Sequence, residues 1–572
     1  MPATQVKCSQ KSTRHQADVL RLIPLLGVLL VFGVFTTVRL ELPGLHYDEA
    51  LEAGLPAVQL LNGSSITTIN GGTITLLGHE LPLMVQNHIG ALQVYAALPF
   101  VWVGGPTPQS LRAMTVLSGI VTIMATYAFV AQIYGRVAAL YASLWLATYA
   151  SFIFWSRQGA FITSLAPCFA MCAFAIGAYW WRTQRWWAAG LTGLCVGLAI
   201  YSKLNALWLL TGMCGWVGLQ ICISLFQSRS TTTVVGIVQR ATWRRIAADW
   251  PLMPWRTFGA GVVGLLMGCW PLLWYNVQTA SATFRVIQLN ATETYLGANN
   301  SAVWANLQTR LVQFADVLAS GEHLWYLGGA FPNHIAVLSV LTALLVLIMR
   351  VVQTRGKGWQ TILLAPFLCL AVIVQSCYTI SALWPTHFAI ATPLPAIIFG
   401  VAMSVLHTWN ETSHQWSTIR HFVIIGVVTL VILSQAGTSA RYLNSLIASG
   451  GLSFHSSAIY DFSRFLDQRS EHVVALDWGI ATQVEYLTGG RKVVEEWHGY
   501  EQTATPEFVA GLRERLHPGT LYLTHTEHQE AFQRRAAFLQ TVDEAPFQAK
   551  TINVSTRTDG WPLLEVWQIR EP

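Results

Sequence analysis

About eleven apolar stretches constrain what this chain can fold into, each near the 20 residues an α-helix needs to cross a bilayer. They lie near 20–38, 111–133, 137–155, 160–181, 186–202, 204–225, 257–275, 332–349, 359–380, 387–406 and 421–438. A segment inside a membrane must satisfy its own backbone hydrogen bonds, which favours helices. The expected fold is therefore mainly α, a polytopic bundle of membrane helices. Composition agrees: 11% of the residues are charged and 53% hydrophobic, with a mean hydropathy of +0.44. Soluble proteins carry about 25% charged residues. The net charge of +6 sits largely in short loops between spans, so it does not point to nucleic acid. No small-residue cleavage pattern follows Val38, so the first run reads as a retained span rather than a signal peptide.

The run at 89–103 is short, opens on Asn87-His88 and contains Gln93 and Pro99. If it lies in the interface without crossing, several basic groups share a side with the N-terminus. These are Arg136, Arg182 with Arg185, the loop with Arg240, Arg244 and Arg245, and Arg350 with Arg355 and Lys357. All then obey the positive-inside rule. If it crosses, all move outside. The reading is thus an interfacial helix, about eleven spans and a cytoplasmic N-terminus, in a multi-pass protein of the cell membrane.

This topology places three regions outside: a first loop of about 39–110, a second of about 276–331, and everything after about 440. Residues 1–440 form the membrane module. Residues 441–572 read as a small soluble extracytoplasmic α/β domain. Val473 to Leu476 and Thr520 to Leu523 look like buried strands, and Pro506 to Leu516 and Glu527 to Leu539 like helices.

One stretch of the first loop stands out, Leu45-His46-Tyr47-Asp48-Glu49-Ala50-Leu51-Glu52. An acid pair just beyond a span does not serve as an anchor, since anchors are Trp, Tyr, Lys or Arg. Acids near a bilayer are costly. Asp48 and Glu49 precede a helix-like pattern and sit where the helix dipole favours carboxylates. They are the candidate catalytic groups, with His46 and Tyr47 beside them.

Other polar groups gather at the same predicted depth: His88, Arg157 in Trp155-Ser156-Arg157-Gln158, Lys203 in Tyr201-Ser202-Lys203, and His387 in Pro385-Thr386-His387. Taken singly, Lys203 reads as a snorkelling cation, and His88 and His387 as structural histidines. Together they suit a substrate that is part lipid and part phosphate. His525 and His528 have i, i+3 spacing but read as a solvated helix start rather than a metal pair. Asp477-Trp478-Gly479 reads as a strand-to-helix turn with a packing role. A lone glycine there makes no phosphate loop.

The order of these features resembles the polytopic C-type (GT-C) glycosyltransferases that use polyprenyl-phosphate sugars, the group of protein mannosyltransferases and lipid A aminoarabinose transferases. The matching points run in order: Tyr47-Asp48-Glu49, Asn87-His88-Ile89-Gly90, Leu111-Arg112, Tyr134-Gly135-Arg136 and Trp155-Ser156-Arg157. Pro271 to Asn276 and Thr386 to Pro395 complete them. The resemblance covers roughly residues 20–410. It implies that Asp48 acts as general base or orients the acceptor. Family members often carry a basic residue at Asn87-His88 and an Arg at His387, and many carry an acid after the Trp155-Ser156-Arg157 segment, where Phe161 to Ser164 offer none.

The expected function is an inverting transfer of a hexose or pentose from a polyprenyl-phosphate donor to a hydroxyl of a protein, lipid or glycan. Arg157, Lys203, His88 and His387 are the candidates for the donor phosphate. No cofactor is required, and nothing in the sequence settles whether a divalent metal takes part. The rival readings are a transporter or lipid flippase, and a non-catalytic homologue. Transporters tend to place charges near the midplane and show repeated halves, and neither feature is visible here.

Overall fold

The computed structural model describes residues 23–66, 68–158, 163–229, 255–409 and 414–571. The basic residues before position 23 and the loop with Arg240, Arg244 and Arg245 lie outside them, as do Phe161 and Ile162. Helices dominate. Among the described residues, five are long and apolar enough to cross a membrane: Pro108–Ile133, Leu204–Leu225, Trp255–Gln278, His334–Gln353 and Thr418–Ser449. Two bent pairs raise this to seven. Arg136–Thr148 meets Ala150–Arg157 at 62°, and Pro385–Ala391 meets Pro393–His407 at 46°. The other expected spans are also helical, but Ile23–Thr37, Trp186–Ser202 and Leu364–Gln375 are shorter apolar helices. At 1.5 Å per residue they cover only about 18–26 Å. The segment near 89–103 forms Leu92–Gly104, 13 residues with Pro99 inside. Its length of about 20 Å falls short of the hydrocarbon core.

Local chemistry sets several of these ends. Pro108 opens its helix at a position whose amide needs no partner, and Thr107 Oγ1 accepts the Ser110 amide at 3.3 Å. The helix stops at Tyr134, and Gly135 takes φ 93° to turn the chain into Arg136–Thr148. Trp186–Ser202 and Trp255–Gln278 approach through facing glycines. A Cβ on Gly193 would lie 2.0 Å from the Gly261 carbonyl oxygen, and one on Gly264 2.0 Å from that of Gly190. Without a hydrophobic drive between helices in lipid, such close backbone contact is what holds them together.

The first loop begins with the turn Tyr47–Glu49, widens into a π-helical stretch at Ala50–Gly54, and continues as Leu55–Asn62. Two small hairpins follow. Strand β1 (Thr73–Leu76) pairs with β2 (His79–Pro82), and β3 (Met84–Gln86) with β4 (Ile89–Gly90).

The C-terminal part holds one five-stranded sheet in the order β6-β5-β7-β9-β8. These strands are β5 (Val473–Ala475), β6 (Glu495–Glu496), β7 (Leu521–His525), β8 (Gln548–Thr556) and β9 (Pro562–Arg570). β5 runs parallel to β6 and β7, while β9 is antiparallel to β7 and β8. Alternate residues feed two cores. Val473, Ala475, Leu521 and Leu523 pack with helices Ala458–Asp467 and Ala481–Leu487. Val474, Tyr522, Trp567 and Ile569 pack with Pro506–Arg515 and Arg535–Asp543. Strand β7 runs past the expected Leu523 to His525. This moves His525 out of any helix start: it is buried, with its Nδ1 2.7 Å from Asp477 Oδ2. His528 is solvent-exposed. The expected helix Glu527 to Leu539 begins only at Arg535.

The sheet is fixed onto the first loop. Tyr486 Oη donates to the Thr107 carbonyl at 2.9 Å, Tyr460 Oη to that of Glu41 at 2.6 Å, and Asn62 Nδ2 to that of Gly489 at 3.1 Å. The turn at Asp477 accepts the amides of Trp478, Ala531 and Phe532 at 2.9 to 3.0 Å. That holds Trp478 against Tyr47, with ring centroids 4.9 Å apart.

Candidate active site

His46 caps the turn that carries the acid pair. Its Nδ1 accepts the Asp48 amide at 3.2 Å, so that nitrogen is unprotonated and the ring is neutral. Burial holds its pKa down at about 3. The 3.4 Å approach of Nδ1 to Asp48 Oδ2 is therefore a consequence of the cap and not an ion pair. The ring stacks on His455 at 4.3 Å, which stacks on Tyr326 at 4.6 Å.

The two adjacent acids separate completely. Glu49 is fully buried, and its Oε1 and Oε2 accept from Nε and Nη2 of Arg112 at 2.8 and 2.9 Å. Arg112 also donates to the carbonyls of Leu40, Pro43 and Gly44 at 2.9, 2.7 and 3.3 Å. Glu49 thus ties the loop to helix Pro108–Ile133, and the candidate catalytic role does not suit a carboxylate so enclosed. Asp48 keeps 16% of its side chain exposed. Burial pushes its carboxyl up to about 6, with the Lys203 ammonium opposing the shift. That value suits a base working near neutral pH.

Arg157 stands apart from the other cation candidates. It is fully buried, and its two terminal nitrogens donate to five carbonyls. Nη1 reaches Phe35, Thr36 and Val38 at 3.0, 3.0 and 2.7 Å, and Nη2 reaches Arg39 and Leu42 at 2.8 and 3.2 Å. Both terminal nitrogens are thus engaged at the exit from the first helix, while Nε is buried without a hydrogen-bond partner. These five bonds favour a backbone clamp over the phosphate role expected of Arg157.

The remaining three candidates converge. His88, Lys203 and His387 line one cavity of about 380 Å³, with Asn205, Trp208 and Ser381. The Leu204 amide donates to the His88 carbonyl at 3.2 Å, and Asn205 Nδ2 to that of His387 at 3.3 Å, tying the three segments together. Burial lowers the His88 pKa to about 3, with Lys203 adding to the effect, so His88 is neutral. Lys203 is buried, and its charge acts on both Asp48 and Glu52.

Two residues of this region were missed in the sequence. Glu52 is buried and accepts from Gln86 Nε2 at 3.2 Å. It lies one turn past Asp48 in the π-helical stretch, a distortion often found at functional sites. Arg310, in helix Val303–Ala319, is fully buried with its Nη2 2.9 Å from His387 Nδ1. The available signals were the i, i+4 spacing of Asp48 and Glu52, and a single cation in the amphipathic pattern of Val303–Ala319.

An apolar groove of about 1040 Å³ runs along helices Pro108–Ile133, Leu165–Thr183, Trp186–Ser202 and Leu207–Arg229. It reaches Ile200 and Ala206, on either side of Lys203 and Leu204 of the smaller cavity. Among the described residues no group of three or more His, Cys, Asp or Glu could hold a metal ion.

Comparison with known proteins agrees with this architecture. Residues 95–237 match the family model of dolichyl-phosphate-mannose-protein mannosyltransferases. No curated protein matches the chain in sequence. Among solved structures, ArnT from Cupriavidus metallidurans bound to undecaprenyl phosphate aligns over 95% of this chain and 97% of its own, with 12% identity and a TM-score of 0.53. The apo state of the same protein aligns at 0.54, also with 12% identity, over 96% and 98%. The archaeal oligosaccharyltransferase AglB from Archaeoglobus fulgidus, in complex with an inhibitory peptide and a dolichol-phosphate, aligns at 0.52 and 12% identity over 91% and 71%. The chain has the GT-C fold of these membrane proteins, and in the segment 95–237 it resembles the protein mannosyltransferases in sequence as well.

Proposed function

We propose that this chain is an integral-membrane glycosyltransferase that moves a sugar from a polyprenyl-phosphate donor to a hydroxyl acceptor. The observation that carries the reading is Asp48, partly open with its carboxyl raised to about 6 and in electrostatic contact with Lys203, which lines the cavity shared by His88 and His387. The neighbouring apolar groove suits the lipid chain of such a donor. Structures similar in fold hold undecaprenyl phosphate and dolichol-phosphate, which supports the donor class.

In this scheme the acceptor oxygen attacks the anomeric carbon from the face opposite the phosphate, and Asp48 takes its proton. The bond from that carbon to the phosphate oxygen breaks, polyprenyl phosphate leaves, and the configuration inverts. The leaving group is a phosphate and needs no acid. Lys203 meets the charge that grows on it, while His88 and His387 contribute as neutral donors.

The sidedness follows from charge. Arg112 joins Glu49 at one end of helix Pro108–Ile133, and Arg136 follows its other end, about 39 Å away at 1.5 Å per residue. Arg182, Arg185, Arg350 and Lys357 lie at the ends of spans away from Asp48. The positive-inside rule then puts Asp48 and the C-terminal sheet on the extracytoplasmic side of a cell membrane.

The test is reconstitution in vesicles with a polyprenyl phosphate carrying a radiolabelled sugar. The reading expects cleavage of the sugar–phosphate bond, with free polyprenyl phosphate as product. Intact donor that crosses the bilayer uncleaved would favour a flippase instead.

A further inference from the structure

The donor cavity contains a histidine whose tautomer is decided by its neighbour. Arg310 Nη2 lies 2.9 Å from His387 Nδ1. A guanidinium has only N–H donors and does not lose its proton in proteins. The imidazole Nδ1 must therefore be the acceptor, which leaves its proton on Nε2. Nε2 lies 3.5 Å from Ser381 Oγ, and both residues line the cavity. Arg310 has no freedom to turn away. Its Nε donates to the Ser376 carbonyl at 2.8 Å, and its Nη1 to the Trp384 carbonyl and Gln313 Oε1 at 2.9 and 2.8 Å. Its guanidinium carbon sits 5.4 Å from the centre of the Phe388 ring.

We propose that Arg310 is a positioning residue that locks His387 as a neutral Nε2–H donor toward the donor phosphate. The proposal rests on the reading of this cavity as the phosphate site of a lipid-linked sugar. The charged and titratable groups around His387 are Arg310 from helix Val303–Ala319, Lys203 from the segment before Leu204, and His88 from the β3–β4 hairpin. Cys377 lies behind Arg310. Arg310 and Lys203 both act on the buried ring, and the Arg310 bond decides which ring nitrogen carries the proton. Without Arg310 the ring can take the other tautomer, whose Nε2 is an acceptor and cannot donate to a phosphate oxygen. With Arg310 in place, Nε2–H stays a donor on the cavity.

The test measures binding of undecaprenyl phosphate to the full chain in lipid nanodiscs at about pH 7.5. Arg310→Lys should keep the affinity, because an ammonium also donates to Nδ1. Arg310→Met should lower it about 5- to 10-fold, the loss expected for one hydrogen bond. In a His387→Gln background, where an amide donor replaces the imidazole tautomer, Arg310→Met should cost at most about twofold. A purely structural Arg310 would cost the same with either residue at 387, and that result overturns the proposal, as does an unchanged affinity in Arg310→Met. Inorganic phosphate at matched concentration should fail to displace the lipid; displacement would overturn the assignment to a lipid-borne phosphate. A folded unmodified chain that does not bind the lipid removes the phosphate site itself, which separates failure of that reading from failure of the Arg310 role.

Discussion

Glu49 and Arg112 form a buried two-bond pair at 2.8 and 2.9 Å, and this pair is what leaves Asp48 as the available acid. The two carboxylates are adjacent in the chain but project from the turn in different directions. One is fixed to the bundle by a guanidinium 63 residues away. The other feels the charge of Lys203, which lines the cavity.

Glu49→Gln should act on stability before it acts on chemistry. Breaking a buried pair by removing one partner costs about 3–5 kcal/mol, because Arg112 is left charged and enclosed. Thermal unfolding in detergent should show a clear fall for Glu49→Gln and little change for Asp48→Asn. Equal stabilities would mean that Arg112 is satisfied by backbone alone.

Arg157→Ala should behave in the same way. Five carbonyls between Phe35 and Leu42 lose their donor, so the exit of the first helix loosens. The expected result is a lower unfolding temperature with unchanged affinity for undecaprenyl phosphate in the fraction that stays folded. A selective loss of affinity at unchanged stability would return Arg157 to the phosphate site.

Lys203→Gln should weaken binding of the same lipid by about 10- to 100-fold, in line with 1.5–3 kcal/mol for hydrogen bonds to charged groups. It should also move the pH profile. Lys203 lowers the Asp48 pKa against the effect of burial, so removing it lets that pKa rise. The acid side of the profile should shift to higher pH. An unshifted profile would separate Lys203 from Asp48.

The profile itself has a definite sign. A base works only when deprotonated, and burial raises the Asp48 pKa to about 6. With donor saturating, the rate should climb about tenfold per pH unit below 6 and level off above about 7. A rate that rises as pH falls below 6 would point to an acid at this position.

Sidedness is open to labelling. In a chain freed of its own cysteines, a cysteine at Tyr500 should react from outside the cell and one at Lys357 only from within. Reaction of both from one side would contradict the charge argument and the placement of the site.

Parts of this arrangement were legible in the sequence, for physical reasons. Apolar runs and their flanking charges report membrane helices directly, because lipid imposes one solution on the backbone. Asp48 was legible by position, as an acid just past a span. The division of labour between Asp48 and Glu49 was not, because it depends on Arg112 arriving from another helix. Arg157 is ambiguous for a similar reason: a cation at a span end has the same sequence whether it faces a ligand or five carbonyls. Arg310 was hidden because its partner is 77 residues away. Strands β8 and β9 were overlooked although Asp559-Gly560 marks their turn. The polar run from Gln548 to Thr556 masks the alternation, since much of that strand is only partly buried. The length of helix Arg535–Asp543 was overestimated because Ala531 and Phe532 give their amides to Asp477 instead of to a helix.

The most direct measurement is sugar transfer by Asp48→Asn in the reconstituted, folded chain, alongside its affinity for undecaprenyl phosphate. The amide keeps the shape and one acceptor oxygen but cannot take the proton. The account predicts a fall in turnover of about 100- to 10,000-fold, the usual contribution of general acid–base help, with affinity nearly unchanged. Transfer at the wild-type rate would contradict it, and would leave Asp48 as no more than an acid at the start of a helix.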